Sequence, residues 1–562
     1  YQGSDRTECH SLIEEVARSQ LGYAIDENKT VEYTKQAIEK IKKETGKQAP
    51  PIVLHGDHIQ YDEASFSAKG ILKAEYEKVH GKGSFKEGLN IEDIDLTILE
   101  NTRKTLQENA LKERQKITDI DERLIKAGFT SIAIDASTLY DEIAGDAVLN
   151  YYANHGTPAE QLVVKLEKGF ALSLEWGVKL LKLDPETEQG EARFKAIRDE
   201  IESNMIKRDR QRADIDIMLG ELESAFGVLV KEARKNNLNP QEVITAYDKI
   251  MIEVSEATIA GKVQDAVLGT LSAKEKLLVL PSSNTYETDY QLKKIDELLN
   301  QYRPDLVEHF GKEVEVGHVD RKYPNPRRKG KLEAKMTHPL AVRVMGDYLT
   351  ARGSSFDLVA ANNGSGHGTD FDKETLTPVS QVGKISPYLT EELNEEAVRF
   401  NAAMAQHGTS GSDMDELTDL SNAGAIKFNI ATNYQQIMLN VFSLLDSGLE
   451  GETLLKRIDT DQDALVSGLH KDVRTKILQI AKEIKEDPAK ADIKEGDTLF
   501  MQFLKLTYSW GMGKNKIKDT STDKDIATLM AKEFKRAFGK MDNALVGLDV
   551  VVASSAITTA RK

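Results

Sequence analysis

The run Ile52-Val53-Leu54-His55-Gly56-Asp57-His58 decides the reading of the chain. Three branched apolar residues in a row suit a strand buried on both faces. They follow an amphipathic helix, Ala37 to Thr45, and the break Pro50-Pro51. The same order recurs. A helix around Asp121 to Lys126 turns at Gly128 into Ser131-Ile132-Ala133-Ile134-Asp135, and residues 285–445 repeat it with strands at Val314 to Gly317, Asp357 to Asn362 and Ala425 to Ile430. Short apolar strands alternating with helices predict βα units and a parallel sheet.

Working outward, residues 62–117 are charged and helical in pattern. Residues 149–284 carry long amphipathic stretches, such as Ala159–Leu183 and Glu191–Lys231, with few strand signals, and residues 446–562 are again helical. The expected organisation is barrel sequence at 1–61, 118–148 and 285–445. Helical insertions fill 62–117 and 149–284, and a helical C-terminal region fills 446–562. The large insertion is expected to leave and rejoin the barrel on one face, and its length is no obstacle, since loop closure costs little more as a loop lengthens. Leu12 to Val16 reads as an early barrel element. The residues ahead of it are too few for a βα unit, so the first strand is expected to be absent or to lie elsewhere.

Composition excludes several classes. The 562 residues hold 75 Lys and Arg against 92 Asp and Glu, a formal net charge of −17, which argues against nucleic acid or an anionic membrane as main partner. No apolar run reaches the ~18 residues that span a bilayer. Cys9 is the single cysteine, so no intrachain disulfide or cysteine zinc cage can form, and a reducing, cytoplasmic setting is expected. The chain opens Tyr1-Gln2-Gly3, with no initiator Met and no signal pattern.

Histidines carry the chemistry. Of 11, several sit beside glycine or acid in turns after apolar runs: His55-Gly56-Asp57-His58, Gly364-Ser365-Gly366-His367-Gly368, and His407-Gly408-Thr409-Ser410-Gly411, the last placed after a helix ending near Ala405. Each alone reads as well as a capping or solvated turn residue. Together with Glu313-Val314-Glu315-Val316-Gly317 they point to imidazoles converging on one metal at the carboxyl end of a parallel barrel.

These blocks resemble the class II, zinc-dependent ketose-bisphosphate aldolases, typified by fructose-bisphosphate aldolase. Pro51 to His58 is similar to the family's H-x-D-H block, Ala127 to Ser137 to its "aGftSvmiDgS" strand, and Glu313 to Gly317 to its E-x-E-[LIVM]-G block. His407 to Gly411 with Gly424 to Thr432 is similar to "HGgSG…GvvKmNidT". The stretch from Thr337-His338-Pro339 to His367-Gly368 matches the segment carrying the second zinc histidine. The resemblance implies an α/β fold, a (β/α)8 TIM barrel, here with large helical insertions and a helical C-terminal extension. It implies His58, His367 and His407 as zinc ligands, Glu315 as the residue holding the resting metal, and Asp57 as the acid/base at the aldehyde oxygen. The expected cofactor is one catalytic Zn2+, with a monovalent cation as an optional second. Gly368, Gly408 and Ser410 suit a phosphate, as do Asn429 and Thr432 at the next strand end.

The implied activity is reversible cleavage of a ketose 1,6-bisphosphate, such as fructose 1,6-bisphosphate, to dihydroxyacetone phosphate and an aldehyde. A tagatose-bisphosphate-type aldolase is the nearest alternative. A non-catalytic aldolase-like barrel serving as scaffold or partner subunit is the other. The expected partners are a small phosphorylated sugar and further copies of the chain in a homo-oligomer. Two departures bear on this. The loop His318 to Gly330 holds no glutamate, where the family's fructose-bisphosphate branch places a proton-moving one, and Ala431 replaces a substrate-binding aspartate. Asp320 is the nearest carboxylate in that loop. Its basic run reads as a surface charge cluster or, more sharply, as a lid whose Arg327 and Arg328 clamp the distal phosphate.

Overall fold

The structure, a computed structural model, describes residues 12–17, 27–46, 52–86, 88–169, 199, 232–316, 322–324, 332–335, 337–364, 385, 387–409, 412 and 414–429. Seven strands form one sheet: β1 (Leu12–Ala17), β2 (Ile52–Gln60), β3 (Ser131–Asp135), β4 (Gly311–Glu315), β7 (Leu358–Ala360), β8 (Ala403–Gln406) and β9 (Ala425–Phe428). Their order is β1-β2-β3-β4-β7-β8-β9, and every pairing is parallel. Two further strands, β5 (Lys322–Pro324) and β6 (Leu332–Lys335), form a separate antiparallel pair.

The main sheet is strongly curled. In a flat sheet β2 and β9, five places apart, would be separated by about 24 Å at ~4.8 Å per strand, beyond the reach of a lysine and a histidine together. Yet Lys427 Nζ on β9 lies 3.1 Å from His55 Nε2 on β2. The described strands therefore make an open half-barrel. The expected closed eight-stranded barrel is not what they show, since β9 has no pairing back to β1 among the described residues. The early element expected at Leu12 to Val16 is a strand of this sheet, Leu12–Ala17 beside β2, so the expectation that the first strand is absent or lies elsewhere is corrected.

The longer described helices are α1 (Glu27–Thr45), α2 (Ala68–His80), α3 (Leu96–Ala127), α4 (Glu142–His155), α5 (Pro158–Gly169), α6 (Pro240–Thr258), α7 (Asn284–Tyr302), α8 (Pro339–Ala351), α9 (Pro387–Val398) and α10 (Met414–Asn422). Helix α3 shows how sequence sets them. Asp95 caps its start by accepting from Thr97 N at 2.7 Å, a buried stripe including Leu99, Leu106, Ile117 and Leu124 follows, and Gly128 at φ +110° ends it. It runs unbroken through the boundary expected at 117/118, as α4 does through 148/149.

The main core lies between sheet and helices. Ile132, Ile134, Val314, Val359 and Met404 of the strands meet Leu124, Leu292, Ile295, Leu389 and Leu393 of the helices. Each such side chain contributes about 1.5–3 kcal/mol by leaving water. A second core joins α4, α5 and α6 through Leu149, Leu162, Val163, Ile250 and Val254. The chain between β3 and β4 thus begins and ends on adjacent parallel strands, and its described part is helical with an apolar cluster of its own.

Gly56 couples this packing to the site. A Cβ there would lie 2.7 Å from Leu124 Cδ1, on the helix side of β2. Leu124 is fully buried and has little room to yield. Gly56→Ala is expected to cost about 1–3 kcal/mol, read as a lower Tm. An unchanged Tm would show that α3 can shift away from the strand.

Candidate active site

The chemistry collects at the carboxyl ends of the strands. Asp57 and His58 lie near the end of β2, Asp135 and Glu315 end β3 and β4, His407 follows β8, and Asn429 follows β9. Consecutive side chains of a regular strand point to opposite faces, which would separate Asp57 from His58. The backbone avoids this. His58 adopts φ +48°, and the β2–β3 register shifts between Gly56 and Ile59. This bulge turns both side chains to one site. A left-handed backbone at a non-glycine residue is costly and persists where its surroundings enforce it.

Two imidazoles meet at the centre. His58 Nε2 lies 3.1 Å from His407 Nδ1, with the rings edge to face at a centroid distance of 4.7 Å. Each ring is backed at its other nitrogen by carboxylate. His58 Nδ1 lies 2.7 Å from Glu315 Oε1 and 3.3 Å from Asp135 Oδ2, and His407 Nε2 lies 2.8 Å from Glu313 Oε1. Asp57 Oδ2 is 3.8 Å from His58 Nε2, and Asn429 Nδ2 approaches Asp57 Oδ1 at 3.5 Å. Asp57, Asp135, Glu313, Glu315, His407 and Asn429 are all buried.

Burial and charge oppose one another here. Burial would push Asp57 up, but the His58 and Lys427 charges outweigh it and hold the carboxyl below its usual range. Burial likewise opposes ionisation of Glu313, yet Lys427 and the hydrogen bond from His407 hold it well below the normal value. Glu315 is raised to about 7 by burial and the nearby Asp135 charge, with His58 pulling the other way. His58 moves well above 6.5 despite burial, because Glu315, Asp135 and Asp57 favour its charged form. His55 falls to about 3 through burial and the Lys427 charge, so it is a neutral imidazole.

This donor set fits a divalent cation. Two nitrogens bound to one tetrahedral zinc at ~2.0–2.1 Å stand about 3.3 Å apart, close to the His58–His407 separation. Carboxylates on the far nitrogens are the usual support for metal-bound imidazole. One buried acceptor, Asn429 Oδ1, has no hydrogen-bond partner among the described residues. Among the described residues three groups have the composition and proximity to hold an ion: Asp57, His58 and His407; His58, Asp135 and Glu315; and His55, Asp57 and Glu313.

Of the residues singled out in the sequence, the fold brings Asp57, His58, Glu315, His407 and Asn429 together, and Gly408 follows His407 at φ +70°. His367, Gly368, Ser410, Thr432, Asp320, Arg327 and Arg328 lie outside the described residues. The expected helix ending near Ala405 is a strand, since α9 stops at Val398 and β8 begins at Ala403. Ala403-Met404-Ala405-Gln406 has weak strand propensity, but all four residues are buried in the sheet, and that environment overrides the local preference.

Sequence reading assigned no role to His55, Glu313, Lys427 or Asp135. The signal was present as alternation: His55 and Asp57, Glu313 and Glu315, Lys427 and Asn429 are each two residues apart on a parallel strand. Such pairs face one side of the sheet.

Residues 308–489 match the family model of class-II fructose-bisphosphate aldolase. No curated protein matches the sequence. A solved structure that aligns with the chain is a glycerol-complexed crystal structure of fructuronate-tagaturonate epimerase UxaE from Cohnella laeviribosi, with 11% identity, a TM-score of 0.33, and 96% of this chain and 81% of that chain covered.

Proposed function

We propose that the chain is a zinc-dependent aldolase that reversibly cleaves a ketose 1,6-bisphosphate, fructose 1,6-bisphosphate first among them, to dihydroxyacetone phosphate and an aldehyde phosphate. The observation that carries this reading is the pair of facing imidazoles, His58 and His407, each backed by carboxylate, with Asp57 beside them. His407 lies inside the aldolase-family match and His58 outside it, and folding joins the two.

His58, His407 and, by family resemblance, His367 would hold the ion. A divalent cation there supplies Lewis acidity for the oxyanion charge that aldol cleavage develops. The chain's own groups do the rest. In the cleavage direction the C3–C4 bond breaks, its electron pair moves toward the C2 carbonyl, and the C4 hydroxyl gives up its proton as the aldehyde forms. C3 then takes up one proton to complete dihydroxyacetone phosphate, so none is gained or lost overall. Asp57 is assigned the C4 hydroxyl proton. Its carboxyl is held ionised, the state from which a proton acceptor must start. Asn429 steadies one Asp57 oxygen, leaving the other toward the His58 side. Glu315 and Asp135 fix the His58 ring from behind. Gly408 and Asn429, with Gly368, Ser410 and Thr432 from the sequence, are assigned to phosphate, and Arg327 and Arg328 to the distal one.

The loop without glutamate keeps a second reading open, that of an aldolase-like partner subunit without turnover. One assay separates them. Fructose 1,6-bisphosphate and tagatose 1,6-bisphosphate are supplied to the zinc-loaded chain, and dihydroxyacetone phosphate is measured by coupled reduction. Release that chelation abolishes and zinc restores is the expected result. Full zinc occupancy with no product from either sugar would overturn the aldolase reading.

A further inference from the structure

Beneath the site lies a second layer of polar side chains. On β2, β4 and β9 the residues two positions before Asp57, Glu315 and Asn429 are His55, Glu313 and Lys427. All three are buried, and they touch. Lys427 Nζ donates to Glu313 Oε2 at 2.7 Å and lies 3.1 Å from His55 Nε2 and 3.9 Å from Asp57 Oδ1. His55 Nδ1 is 2.7 Å from Ser131 Oγ on β3.

We propose that Lys427 and Glu313 are positioning residues that lock His407 with Nδ1 toward the ion, the Lys427 ammonium serving as a built-in cation in the His55–Asp57–Glu313 pocket. This rests on the metal-site reading above. The direction of each hydrogen bond carries it. An ammonium can only donate, so both Glu313 Oε2 and His55 Nε2 accept from Lys427. His55 then keeps its proton on Nδ1, facing Ser131 Oγ. The other Glu313 oxygen is an acceptor too, so His407 must carry its proton on Nε2. Its Nδ1 lone pair is left pointing at His58.

His55, Asp57 and Glu313 could by composition hold a second metal ion. Their centre is instead taken by the lysine. A dication and an ammonium cannot share that space without strong repulsion. A buried Glu313 with no cation would be costly, so each member of the pair requires the other. The layer therefore needs no dissolved cation to remain neutral and aligned.

The test uses the full chain. Zinc affinity is measured by competition calorimetry for the wild type, Glu313→Gln, Glu313→Asp and Lys427→Ala, and the His407 tautomer by nitrogen-15 NMR of the metal-free wild type. Glu313→Gln and Lys427→Ala should each weaken zinc binding about 10–100-fold, the usual effect of removing a metal ligand's support. Glu313→Asp should recover part of the loss, and methylammonium should partly restore Lys427→Ala. His407 should be protonated on Nε2. Folded variants that bind zinc within about threefold of wild type would overturn the proposal, since that is smaller than any loss of such support. A His407 ring with no proton on Nε2 would overturn it even if the variants fail to fold. A wild type that binds no zinc would instead remove the metal-site reading, and the tautomer would still decide the relay.

Discussion

Asp57→Asn is expected to lower turnover by about 10²–10⁴-fold while leaving the protein folded and its zinc bound. Asparagine keeps the shape of the side chain and an oxygen that can face Asn429 Nδ2, but it cannot accept the substrate proton. The size of the loss follows from where Asp57 sits. It is buried, with His58 and Lys427 around it, so bulk water cannot readily stand in as base. Turnover and zinc affinity must be measured together, because Asp57 shares a donor group with His58 and His407. Loss of turnover at constant affinity assigns proton transfer. A parallel loss of both would make Asp57 a ligand. Unchanged turnover would remove it from the chemistry altogether.

Some of this site was legible in the sequence and some was not, for identifiable reasons. Ser131–Asp135 stood out because an unbroken buried run after a glycine-capped helix has few other readings. Asp57, His58 and His407 stood out as histidine and acid beside glycine. The bulge at His58 could not be read, since no composition rule assigns a positive φ to histidine, and without it Asp57 and His58 would point apart. Strand β8 was hidden by its alanines. The inner layer was hidden for a different reason: Glu313 and Lys427 are charged, and charged residues are ordinarily assigned to water. Only the curl of the sheet, which brings β9 back over β2 and β4, makes a salt bridge of them. A polar pair at period two on three parallel strands is the pattern that reveals such an interior.

Zinc binding is expected to weaken by about tenfold for each pH unit between about pH 8 and about pH 6, and His58→Ala is expected to weaken it at every pH. The sign comes from the metal-free site. Burial works against a charged His58, but Glu315, Asp135 and Asp57 outweigh it and raise its pKa well above 6.5. At neutral pH that imidazole therefore holds a proton, with Nδ1 toward Glu315 and Nε2 toward His407. The proton stabilises the metal-free fold below the unfolded value near 6.5, and this contribution is lost as pH rises through the raised folded value. Zinc needs the same nitrogen and must displace the proton, so acid favours the metal-free form. His407 is also raised, chiefly through Glu313 against the effect of burial, but two nitrogens 3.1 Å apart share one proton between them. The expected slope is accordingly one proton per ion. His58→Ala removes a ligand outright. Sharing about 10–16 kcal/mol of structural zinc binding over four ligands gives about 2.5–4 kcal/mol for one, or about 10²–10³-fold in affinity. The variant should also lose most of the pH slope, because the displaced proton has gone with the ring. A flat pH profile in the wild type, or a variant as steep as the wild type, would show that the ion binds somewhere other than between His58 and His407.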